Sequence, residues 1–208
     1  MTNRLKRKNT YTIFSLIAAA VLFSAGSHLG FNQIPEWIEI ISAVAAVVFL
    51  PAVAQLLANL LPNQIKCKLI FLRWKNEMPG SRAHKLCETD PRINVENASR
   101  VWPKLFCANT TEKDRNRIWY QDIYRLVQDT PQVYQSHGSF LLYRDAFAGL
   151  FILFCTSVLF YLFKIELGGT GELAIEAVLA LAFSTALAMI VARNMGNRFV
   201  VNAIAVAL

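Results

Sequence analysis

Four stretches of this chain are almost free of charge and long enough to cross a lipid bilayer, and this restricts the fold more than any other feature of the sequence. No Asp, Glu, Lys or Arg occurs between Lys8 and Glu36, and none between Glu39 and Lys66. A third uncharged run covers 146–163, and a fourth, 173–192, holds one acid, Glu176, near its start. A helix needs about 20 residues to cross about 30 Å of hydrocarbon. The expected spans are therefore 11–30, 37–61, 146–163 and 173–192. Pro51 falls inside the second and predicts a kink, which membrane helices accommodate when neighbours repair the missing hydrogen bond.

Composition agrees with this reading. The residues are 55% hydrophobic and 17% charged, where soluble domains average about 25% charged. An ordinary soluble enzyme and a disordered chain are both disfavoured. Four cysteines in 208 residues exclude a disulfide-stapled secreted miniprotein.

The cations give the expected orientation, because Lys and Arg are retained on the cytoplasmic side. Four alternating helices place Arg4, Lys6, Arg7, Lys8, the fourteen Lys and Arg from Lys66 to Arg144, Arg193 and Arg198 on one side, leaving Lys164 alone on the other. Glu36, Glu39, Glu166, Glu172 and Glu176 lie with Lys164, so one base against five acids leaves −4 outside and +11 inside, consistent with +7 for the whole chain. The expectation is an all-α integral membrane protein of the inner (plasma) membrane. It has four transmembrane helices, both termini cytoplasmic, and a small, mainly helical cytoplasmic segment between helices 2 and 3. Its parts are 1–61 (N-terminus and helices 1–2), 62–144 (basic cytoplasmic segment), 145–194 (helices 3–4) and 195–208 (an apolar tail at the interface or in a groove between subunits). A cleavable signal peptide is a competing account of the start, since a basic 3–9 region and the small residues 24–27 flank the first apolar run.

Local signals organise the middle segment. Residues 65–75 mix apolar and basic side chains and predict a helix continuing from span two, either along the anionic inner leaflet or as a solvated helix end with a few buried positions. Pro79-Gly80-Ser81 and Asp90-Pro91 mark turns, and a short helix is expected from Asn94 or Val95 to Trp102, stopped by Pro103. Thr111 and Asp114 form a T-x-x-D cap on a helix over 112–129, with Trp119, Ile123, Leu126 and Val127 on its apolar face. Residues 132–144 lead into span three, either with Gly138 as an interruption or as a helix that merges with the span.

Catalytic patterns are missing: there is no G-x-x-x-x-G-K-[ST], G-x-G-x-x-G, H-E-x-x-H or G-x-S-x-G. Cys67, His84, Cys87 and Cys107 have residue types suited to zinc, but single cysteines 17 and 20 residues from the H-x-x-C pair lack the paired spacing of a zinc ribbon. Free or buried thiols are expected, with no metal and no cofactor. Ser81, Arg82, His84, Lys85, Arg92 and Arg100 cluster around turns and form the candidate anion site, suited to a nucleotide or an anionic lipid head group. No specific nucleic acid is expected. In span four, Ala177, Ala180, Ser184, Ala188 and Ala192 recur at three- and four-residue spacing and predict a close helix-packing seam.

These features point to a non-enzymatic inner-membrane protein whose basic segment senses or docks a cytoplasmic protein partner or anionic ligand. Its spans form a homo-oligomer acting as a pore, effector or anchor, and such architectures are common in bacterial stress and antiphage defence. The alternatives are a passive membrane scaffold for a soluble enzyme, and a lipid- or nucleotide-handling enzyme.

Overall fold

A computed structural model describes residues 12–13, 15–21, 23–24, 27, 56–165 and 172–208, and every regular element among them is a helix. In chain order these are α1 (Asn63–Phe71), a 3-10 turn (Pro79–Arg82), α2 (Ala83–Thr89), α3 (Val95–Val101) and α4 (Pro103–Phe106). There follow α5 (Glu112–Ile118), a π-helical turn (Trp119–Tyr124), α6 (Arg125–Val127), α7 (Pro131–Leu162) and α8 (Ile175–Ala207). Described residues between 12 and 27 and residues 56–60 are also helical. The chain divides into two compact units: residues 1–62 with 142–190, and residues 63–141 with 191–208.

Two helices, α7 and α8, are long and apolar enough to cross a membrane. Four such spans are not seen among the described residues. Of the expected first span, only residues between 12 and 27 are described, and most of the second, including Pro51, lies outside the described residues. Two expected boundaries also change. Gly138 does not interrupt α7, which runs unbroken for 32 residues from Pro131. The helix that carries span four does not end near Arg193: α8 is 33 residues long and reaches Ala207.

The first unit is built on stripes of small and branched side chains. Ile13, Ile17 and Ala20, spaced four and three apart, pack on Ala146 and Leu150 of α7, with Leu142, Leu153 and Ala188 around them. The Ser24 hydroxyl donates to the Ala177 carbonyl at 3.0 Å, and Thr185 Oγ1 lies 2.7 Å from the Leu181 carbonyl and 3.3 Å from that of Leu150. Arg144 and Asp145 form an ion pair at 2.9 Å, with both side chains buried. Buried, hydrogen-bonded pairing of this kind is what keeps charge tolerable in an apolar setting.

The second unit has its own core, organised around the last turns of α8. Phe199, Val200, Val201, Ala203 and Ile204 are all buried. The Phe199 ring stacks on His137 at 4.7 Å and meets Trp119 and Tyr124 edge-on, each at 5.2 Å. The Trp119 indole donates to the Val200 carbonyl at 3.4 Å. The apolar tail therefore fills the centre of this unit, and its hydrophobicity is accounted for by protein contacts.

The π-helical turn changes the expected apolar face of residues 112–129 at one position, Leu126, and leaves Trp119, Ile123 and Val127 inward as expected. Trp119, Ile123, Tyr124 and Val127 are buried, whereas Leu126 is 77% exposed. A π turn adds one residue to the helical repeat, which turns Leu126 outward and brings Tyr124 inward.

Candidate functional site

The charged centre of the second unit is built on two helix ends. At the start of α5, Thr111 Oγ1 accepts from the Asp114 amide at 3.1 Å and donates to the Asp114 carboxylate at 2.7 Å, which fixes Glu112 in the first turn. At the end of α1, Leu72 takes φ 52° and the Arg73 amide donates to the Lys68 carbonyl at 3.0 Å, closing the helix. Arg73 Nη2 then reaches the two Glu112 carboxylate oxygens at 3.0 and 3.3 Å, and Asn76 Nδ2 donates to one of them at 3.1 Å. Partial burial favours the neutral acid, but the hydrogen bonds from Arg73 and Asn76 and the Arg73 charge outweigh it and hold the Glu112 carboxyl below its ordinary value.

Further basic groups surround this pair. The Arg82 guanidinium lies 4.6 Å from the Phe71 ring centroid and donates to Asn197 Oδ1 at 3.3 Å. Burial and the charges of Arg73 and Arg193 lower its pKa, with Glu112 opposing them. Burial and then the charge of Arg115 lower that of His84, with Glu88 and Glu112 opposing. Lys85 acts on both Glu112 and His84. Three buried nitrogens, Arg73 Nη1, Arg82 Nε and His84 Nδ1, have no hydrogen-bond partner among the described residues. A cleft of about 190 Å³ opens beside Glu112, lined also by Asn76, Ser81, Lys113 and Asn116.

The six sequence-derived anion-site residues are only partly gathered here. Arg82, His84 and Lys85 share the electrostatic surroundings of Glu112. Ser81 lines the cleft, but it is fully buried and its hydroxyl is directed at the Asn76 and Met78 carbonyls at 2.8 and 2.7 Å. Arg92 forks onto Asp90 at 2.9 and 3.0 Å and holds Asn202 of α8 at 3.0 Å, which makes it a clamp within the fold. Arg100 pairs with Glu96 one turn back on exposed α3. Sequence reasoning missed Arg73, Asn76 and Glu112 as site residues. Arg73 and Glu112 are 39 positions apart, and the one local clue was the Thr111 cap that sets where α5 begins.

Of the small-residue stripe on α8, Ala177, Ala180 and Ala192 are buried, and Ala188 packs on the Ile13–Leu150 cluster of the first unit. Ser184 is half-buried and its hydroxyl bonds to the Ala180 carbonyl at 2.9 Å. Cys67 and Cys87 are buried, while Cys107 and Cys155 are exposed. Burial pushes the Cys87 thiol up to about 12. Among the described residues no three His, Cys, Asp or Glu side chains are placed to hold a metal ion. Comparison of the chain with protein families, curated proteins and solved structures finds no match in any of the three.

Proposed function

We propose that this protein is a non-enzymatic docking module held in the inner membrane: the first unit is the anchor, and the second is a basic cytoplasmic unit that engages an acidic protein partner or an anionic ligand. The carrying observation is the contrast between the two units in surface and charge. In the first, large apolar side chains face outward along both long helices: Leu159, Leu162 and Phe163 at the end of α7, and Leu179, Phe183, Leu187 and Ile190 on α8 are all exposed. The α8 residues fall at near-helical intervals and make one continuous apolar face, as a lipid-contacting helix requires. That unit contains six Lys and Arg against six Asp and Glu. The second contains fifteen against eight, so the surplus of seven, the whole net charge of the chain, belongs to it.

On this reading the outer helices are completed by the apolar runs 11–30 and 37–61, giving four passes with both termini cytoplasmic. Anchoring is favoured over pore formation, because the small-residue stripe of α8 faces the interior of its own unit, where Ala177 meets Ser24 and Ala188 meets the Ile13 cluster. Assembly of several copies through the exposed α8 face would create the pore or effector state instead.

The test uses the exposed Cys107 in right-side-out and inverted membrane vesicles, with a Cys107→Ser control. A membrane-impermeant maleimide should label Cys107 only in inverted vesicles, and the protein should stay in the pellet after alkaline carbonate extraction. Labelling in right-side-out vesicles, or release by carbonate, overturns the proposal.

A further inference from the structure

The segment between α1 and the 3-10 turn holds two large apolar side chains out in solvent. Leu72 and Asn76 adopt φ 52° and 53°, in the left-handed region that non-glycine residues seldom occupy. They bracket Arg73, Trp74 and Lys75, and the bracket is fixed from behind. Arg73 and Asn76 both hold Glu112, the Arg73 amide closes α1, and the Asn76 carbonyl accepts from the buried Ser81 hydroxyl at 2.8 Å. Held this way, the segment presents its apolar side chains outward. Trp74 is 79% exposed and Leu72 66% exposed, next to exposed Lys75 and with Lys68 one turn earlier on α1. Other exposed apolar residues of the second unit, such as Leu126, stand on ordinary helical backbone. Here two of the most exposed ones project from one pinned, strained loop.

We propose that Leu72–Lys75 is an interfacial anchor that inserts Trp74 and Leu72 into the headgroup region of an anionic phospholipid leaflet. The proposal rests on the membrane reading of the first unit. Tryptophan has an amphipathic ring suited to the headgroup level, where the indole N–H finds polar partners and the ring meets the upper acyl chain. Lys68 and Lys75 supply the charge that anionic lipid phosphates attract. Arg73 does not serve this purpose, because its guanidinium is turned back onto Glu112. Continuity of the chain supports the same occupant: α1 begins at Asn63, directly after Pro62, the last residue of that stretch of the first unit.

The experiment uses the full chain in lipid nanodiscs containing acyl-brominated lipids, which quench tryptophan at the membrane but not in water. The Trp74 signal is the difference between the chain and its Trp74→Phe variant. A Phe183→Trp substitution on that variant reports on the exposed face of α8. With phosphatidylglycerol in the disc, the Trp74 component should lose most of its intensity and resist aqueous iodide. Lys68→Glu with Lys75→Glu should restore it. Quenching at position 183 with an unquenched, iodide-accessible Trp74 overturns the loop proposal and leaves the membrane reading intact. No quenching at either position overturns both. A Trp74 protected from bromolipid and iodide alike means that protein covers the loop, which also overturns it. Equal quenching in phosphatidylcholine alone overturns the requirement for anionic lipid.

Discussion

Arg73 and Glu112 meet at 3.0 Å although they lie at the ends of different helices, and their pairing leaves one Arg73 nitrogen buried without a partner among the described residues. Replacing the acid therefore isolates a cation that the fold does not otherwise balance. Glu112→Gln should destabilise the protein by about 1–3 kcal/mol, at the lower end because both side chains remain about a third exposed. Thermal unfolding in mild detergent measures this, and an unchanged midpoint would remove Glu112 from its central place.

The same pair sets an acid limit. The Glu112 carboxyl is held below its ordinary 4.5, so the folded state releases the proton more readily than the unfolded state does. Its contribution is fully present above about 4.5 and is lost as pH falls through the folded value. Asp90, held down by its hydrogen bond from Arg92, acts in the same direction. Stability should therefore decline below about pH 4.5, less steeply in Glu112→Gln and least in the double variant with Asp90→Asn. Coincident pH profiles for the three proteins would contradict this account.

Two glycines are placed where any side chain collides with aromatic rings. A Cβ at Gly80 would lie 2.4 Å from Trp119 Cε3, and one at Gly196 would lie 2.7 Å from Phe71 Cζ. Both rings belong to buried residues of the second unit. Gly80→Ala and Gly196→Ala should each cost about 1–3 kcal/mol by overpacking, despite the better helix propensity of alanine. Melting temperatures at or above that of the parent protein would show that the rings can move aside.

The cysteines should separate by reactivity. Cys87 is buried with its thiol pushed up to about 12, and Cys67 is equally enclosed, whereas Cys107 is exposed. Maleimide at pH 8 should modify Cys107 in the native protein and reach Cys67 and Cys87 only after denaturation. Peptide mass spectrometry distinguishes the sites, and rapid native labelling of Cys87 would mean that its helix opens readily.

Leu126 and Ile123 test the helical register. Ile123 is fully buried and Ile123→Ala should cost about 2–5 kcal/mol, while Leu126→Gln should stay within about 0.5 kcal/mol. A large loss from Leu126→Gln would restore the regular helix expected from the sequence.

Local features were the legible ones. Asn94 and Thr111 cap α3 and α5 as their side chains predict, because a cap bond joins residues three apart. Gly138 left two readings open because a helical glycine lowers propensity but does not break a helix whose flanks are packed on both sides. The last turns of α8 were read as a tail because Arg193 and Arg198 resemble the charges that end a membrane span. Their apolar neighbour Phe199 faces Trp119, Tyr124 and His137, which are 62 to 80 positions away in sequence and show no periodic relation to it. Within the candidate site, basic residues near turns could be found, but their counter-charges could not. Asp90, Glu96 and Glu112 decide which cations remain available, and only the last is brought to its partner by tertiary structure alone.

The widened turn at Trp119–Tyr124 bears on how this helix tolerates change in length. Its inward residues, Trp119, Ile123, Tyr124 and Val127, sit at i, i+4, i+5 and i+8. Remove any one of the exposed residues 120–122 and the same four side chains fall at i, i+3, i+4 and i+7, the spacing of an ordinary amphipathic helix. The segment therefore behaves as a regular helix that has absorbed one extra amino acid by swelling locally instead of rotating everything downstream, and a chain one codon shorter there would keep its inward-facing side chains unchanged.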